Sequence, residues 1–120
     1  MKQKEITINS KQYPVVFDLG TMINYESIVK HSFFLTDWTK PKITERMAII
    51  YAAALSADEN TKLTFDDLKG KGTWDDVKAI FTASNIIITL SGEFFPIPEI
   101  EQQAEVDAPA DNTEGGTEKN

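Results

Sequence analysis

Two short runs of alternating polar and apolar residues open the chain. Ile6 and Ile8 share one face, with Glu5 and Thr7 on the other; Tyr13, Val15 and Phe17 alternate in a second run, with Val16 opposite. A period of two suits a half-buried strand, so residues 4–17 are predicted to form a β-hairpin. Asn9-Ser10-Lys11 supplies the turn, because Asn tolerates positive φ and Ser bonds to nearby backbone. Pro14 lacks an N–H for the ladder, which puts its strand at an edge or turns that position outward.

The period then lengthens. Asp18 is placed to cap a helix running to about Lys30, whose core face is either Met22, Tyr25 and Val29 or Leu19, Ile23 and Glu26. The stretch His31–Lys40 carries Phe33, Phe34, Leu35 and Trp38 without a clean period, and reads as a structured connection that lays aromatics against the core. Pro41 suits a first helical turn, and Ile43, Met47, Ile50, Tyr51 and Ala54 follow at helical spacing to an end near Ala57. Ala48, Ala52, Ala53 and Ala54 raise helix propensity and allow close packing.

Asp58-Glu59-Asn60-Thr61 reads as a polar loop, and Thr64 caps a short helix through Leu68 that Gly70-Lys71-Gly72 breaks. Thr73 caps the last helix, with Asp76 as a short variant of the capping box. Trp74, Val77, Ile80, Phe81, Ser84, Ile87, Ile88 and Ser91 make one face of it, down to Gly92. The Ile86–Ile88 run also suits a buried strand, but the upstream period and the caps favour helix. Phe94, Phe95, Pro96 and Ile97 are expected to close the domain. The expected fold class is α+β: an N-terminal β-hairpin followed by a cluster of about four helices, one domain over residues 1–96.

Charge divides the chain. Of a net charge of −7 over 120 residues, −6 falls in residues 97–120, where Glu99, Glu101, Glu105, Asp107, Asp111, Glu114 and Glu118 face Lys119 alone. That segment has no aromatic residue and too little apolar area to offset an ordering cost of about 1–2 kcal/mol per residue. It is predicted to be a disordered acidic tail that solvates the protein, or an interaction arm that folds on a basic partner. The overall acidity speaks against a nucleic-acid binder, which needs surplus Lys and Arg. No apolar stretch approaches the roughly 20 residues needed to cross a bilayer, and residues 1–15 contain no secretory apolar run. A soluble cytoplasmic protein is the expectation.

The residues offer little chemistry. With no cysteine and one histidine, His31, the chain lacks the ligands for zinc, and Ser32 beside His31 does not by itself make a nucleophile–base pair. The loop from Asp58 to Asp66 starts like a calcium loop, but Lys62, Leu63 and Lys69 occupy positions where calcium needs oxygen, glycine and a bidentate acid. Gly70-Lys71-Gly72-Thr73 lacks the spacing of a phosphate-binding loop. Asp66, Asp67, Asp75 and Asp76 sit in first helical turns, where they complement the dipole. The expectation is therefore no catalytic residue, no metal and no cofactor.

Several strings resemble the tail assembly chaperones of long-tailed bacteriophages and prophages. They are Ile8-Asn9-Ser10-Lys11-Gln12-Tyr13-Pro14-Val15, then Phe17-Asp18-Leu19-Gly20-Thr21-Met22 with Glu26 after an aromatic, the Ala-rich Met47–Leu55 helix, Thr64-Phe65-Asp66-Asp67-Leu68, and the long final helix. The likeness spans about residues 6–95 and rests on short, degenerate motifs. It implies a small non-enzymatic protein that binds the tape measure protein, keeps it soluble, and is displaced as tail tube protein polymerises. In that family a frameshifted longer product often shares the same body. Weak self-association is compatible with this reading. For the partner surface the candidates are Phe33, Phe34 and Trp38, the apolar residues that a periodic core face explains least. The alternative for these three is that they complete the core. Competing functions are a tail-completion or connector subunit retained in the virion, a generic acidic interaction module, and an acidic DNA mimic.

Overall fold

The computed structural model describes residues 2–95. Strands β1 (Gln3–Ile8) and β2 (Lys11–Val16) form an antiparallel hairpin, and α1 (Leu19–Val29), α2 (Ile43–Ala57), α3 (Phe65–Lys69) and α4 (Trp74–Phe94) follow. A single 3-10 turn, Phe33–Leu35, interrupts the connection between α1 and α2. The α+β architecture expected from the sequence is the one observed. The expectations for Pro96, Ile97 and the acidic segment 97–120 lie outside the described residues.

The hairpin turn is tighter than the sequence suggested. Ile8 pairs directly with Lys11, leaving Asn9 and Ser10 alone at the turn with φ of 53° and 66°. Positive φ at both positions is what a two-residue hairpin needs to match the twist of its strands. The Asn9 side chain then donates to the Asp67 carbonyl at 2.8 Å, tying the turn to α3. Alternate pairs outward from Ile8–Lys11 bring Pro14 opposite Glu5 in a pair that exchanges no ladder bonds. Its missing N–H therefore costs the hairpin nothing. Ile6, Ile8, Tyr13 and Val15 are buried on the inner face.

Helix α2 is the centre of the molecule, packed on α1, β2 and α4. The single stripe predicted for it is corrected here. Ile49, Ile50, Ala48, Ala52, Ala53 and Ala54 are all buried, whereas Ile43, expected in the core, is 42% exposed. A helix surrounded on several sides buries more than one stripe, and the small alanines let its neighbours approach. Nor does Pro41 occupy the first turn: Lys42 is the N-cap, and its N–H donates to Glu45 Oε1 at 2.7 Å. On α4 the buried face is Ile80, Ala83, Ser84, Ile87 and Leu90, so Trp74 and Phe81 project from the helix instead of joining the core. The whole run Ile86–Ile88 is helical.

Helix α1 resolves its two candidate faces. Tyr25 is buried and Met22 and Val29 pack on the core, while Leu19 and Ile23 face outward.

Candidate interaction surface

The connection after α1 is held rigidly by polar contacts from within the fold. Glu26 Oε2 accepts from the Phe33 N–H at 2.7 Å, and the Trp38 indole N–H donates to the Phe33 carbonyl at 3.2 Å. Tyr25 and Thr36 share a buried hydroxyl–hydroxyl bond of 2.7 Å. Ser32 Oγ accepts from the Phe34 N–H at 3.2 Å, capping the 3-10 turn. Burial raises the Tyr25 phenol above its ordinary pKa; the bond to Thr36 opposes this and the Glu45 charge adds to it. The phenol is thus kept as a neutral hydrogen-bonding partner for Thr36.

These bonds fix which aromatic faces inward. Phe33 is 4% exposed, with its ring 5.4 Å from Phe17, 5.7 Å from Tyr25 and 5.0 Å from Trp38. It belongs to the core and offers no contact area to a partner, which corrects its place among the candidates. Trp38 is half-buried against the same cluster. Phe34 alone of the three is presented to solvent, at 69% exposure, beside Leu35 at 76%. The Phe34 ring lies 5.9 Å from Phe95, and Phe95 lies 5.3 Å from the half-exposed Phe94.

The surface is therefore Phe34, Leu35 and Phe94 over a bed of Phe33, Phe95 and Trp38. Leu35 and Phe94 are additions that the sequence did not single out. Leu35 stands next to two aromatics, so only the path of the backbone distinguishes the residues that turn out from the one that turns in. Three polar clusters noted in the sequence have structural duties. Asp58 Oδ1 accepts from the Asn60 N–H, while Thr64 and Asp67 cap α3 reciprocally. Asp76 Oδ2 accepts from the N–H groups of Lys71 and Thr73, so the chain's own carboxylate fills the loop before α4. A Cβ at Gly70, where φ is +53°, would collide with that carboxylate. His31 Nδ1 meets the Ser32 carbonyl at 2.9 Å, not its hydroxyl, and Nε2 lies 3.7 Å from Glu45. Among the described residues no three His, Cys, Asp or Glu side chains come together as a metal site would require.

No family model matches this chain, and no curated protein or solved structure matches it either.

One further anchor steadies the surface from the opposite end of α1. Asp18 caps the helix by accepting from the Thr21 N–H at 3.0 Å, and Ser56 at the end of α2 donates to the same oxygen. Partial burial raises the Asp18 pKa, but the bonds from Ser56, Thr21 and Gly20 together outweigh it and hold the carboxyl below its usual 3.8. A depressed folded pKa adds stability that is present above the unfolded value and lost as pH falls through the folded one. Asp18→Ala is expected to cost about 1–2 kcal/mol at neutral pH, the worth of a lost cap. In urea titrations across pH, the gap between wild type and variant should narrow steadily below the ordinary carboxylate pKa. A gap independent of pH would show that the ionised carboxylate is not what stabilises the cap.

Proposed function

We propose that this protein is a non-enzymatic tail assembly chaperone that binds a tape measure protein and keeps it soluble until tail tube protein polymerises around it. The reading is carried by the strings between Ile8 and Leu68 that resemble that family. The exposed apolar cluster of Phe34, Leu35 and Phe94 on a tightly pinned turn supports it. A long helical client with an apolar stripe exposes surface that aggregates, and a rigid apolar patch can shield one segment of it. Many copies along one client would give avidity while each contact stays weak enough to release. No helix of the described residues is long and apolar enough to cross a membrane.

The test is co-expression with a tape measure protein, scoring the client that stays soluble and co-purifies. Phe34→Ser combined with Leu35→Ser should remove about 1–3 kcal/mol of contact, which weakens affinity for the client by roughly tenfold per 1.4 kcal/mol and lowers its recovery. Both side chains face water, so the variant keeps its fold. Undiminished recovery would exclude this surface. Presence of the protein in finished particles, by mass spectrometry of purified virions, would instead favour a connector subunit.

A further inference from the structure

Arg46 on α2 is a buried cation with no counter-ion among the described residues. It is 8% exposed, and Nη1 donates to Ser84 Oγ at 2.9 Å and Asn85 Oδ1 at 3.0 Å. Ser84 spends its own hydroxyl hydrogen on the Ile80 carbonyl at 2.7 Å, so towards Arg46 it acts as acceptor. The guanidinium carbon sits 4.0 Å from the centre of the Phe81 ring, and Nε is buried with no partner. Among the described residues no carboxylate lies within ion-pair distance of it.

A guanidinium stays charged at any ordinary pH, and neutral acceptors plus one aromatic face repay only part of its lost hydration. What the described residues leave out of this site is an anion. Exposed apolar residues flank the site. Phe81 is half-exposed, Ile43 stands one turn before Arg46 on α2, and Trp74 stands two turns before Phe81 on α4. What fits is a carboxylate carried between apolar side chains on a polypeptide.

We propose that this chain's own segment Ile97-Pro98-Glu99-Ile100-Glu101 occupies the site, with Glu99 or Glu101 accepting from Arg46 and an isoleucine covering Phe81. The segment alternates apolar and acidic residues, and residues 97–120 carry seven acidic residues against one lysine. Reach is sufficient. Asn85 stands nine helical residues before Phe94, roughly 13 Å back along α4, and extended chain covers about 3.3 Å per residue. Phe81 stands thirteen helical residues before Phe94, roughly 20 Å back, and Glu101 follows Phe94 by seven residues, about 23 Å of extended chain, so a direct return spans the gap. Because the segment is tethered to the helix that carries Phe81, Ser84 and Asn85, its local concentration is high and a weak contact is enough. Any partner that uses the Phe81 face must displace it. The proposal stands apart from the client reading, since it uses none of Phe34, Leu35 and Phe94.

The chain has no cysteine, so Ala104→Cys gives a single spin-label position in the otherwise native full-length protein. In nuclear magnetic resonance at low salt, the label should suppress the backbone signals of Phe81 and Asn85 and the Arg46 Nε–H signal, sparing Asn9 and Ser10. Suppression should vanish when Glu99→Gln and Glu101→Gln are added. It should also fade at about 0.5 M salt, where exposed charges are screened. Signals unaffected in the labelled protein, or suppression that survives both Glu→Gln changes, would overturn the proposal. Suppression seen only when labelled and isotope-enriched copies are mixed would overturn it too, by assigning the carboxylate to a second copy.

Discussion

Phe33→Ala should remove about 3–5 kcal/mol of folding stability, the usual cost of deleting a buried aromatic side chain. Phe34→Ala, one residue on, should stay within about 0.5 kcal/mol, as exposed positions do. The contrast follows from the hydrogen bonds that pin the 3-10 turn. With its N–H on Glu26 and its carbonyl on the Trp38 indole, Phe33 has one orientation open to it, between Phe17, Tyr25 and Trp38. Truncation leaves a void among these three rings that cannot collapse, because the backbone on both sides is tied down. Urea unfolding of the two variants, read as midpoint shifts at constant slope, measures the difference. Similar losses for both would mean that the two rings share one environment, and the inward–outward assignment would fail.

Ile49→Ala is expected to cost about 2–5 kcal/mol, while Ile43→Ala on the same helix should cost under about 1 kcal/mol. Ile49 is buried at the middle of α2, where three other elements meet, and Ile43 is near the N-terminus with nearly half its surface in water. Ala48 beside Ile49, and Ala52 and Ala53 one turn on, have no side-chain freedom with which to fill the cavity. Thermal unfolding checks this pair: a large fall in Tm for Ile43→Ala would restore the single stripe inferred from spacing alone.

Those two cases mark how far sequence reaches in this protein. Local signals were legible because they depend on neighbours a few residues away. Asp18, Thr64 and Thr73 cap helices as their chemistry dictates, the Asn9-Ser10 pair turns the hairpin, and Gly70 and Gly72 take the positive φ that the break before α4 requires. Periodicity chose correctly between strand and helix at Ile86–Ile88. It was less informative about α2, because a helix enclosed by neighbours loses the contrast between apolar and polar faces on which spacing arguments depend. For the candidate surface, composition drew attention to the aromatic connection. Which ring turns inward depended on Glu26, seven residues before Phe33, and no local pattern encodes that contact.

Pro14 has a consequence for how this protein can meet others. Counting alternate pairs, the N–H groups of Gln12, Pro14 and Val16 are the ones β2 would direct away from β1, and the central one does not exist. A foreign strand laid along that border would find an interrupted row of donors and a ring in its path. Backbone zippering is therefore disfavoured on that side, which protects a two-stranded sheet from runaway polymerisation. Recognition is left to side chains displayed by the turns and helices, where single substitutions can tune it without touching the scaffold.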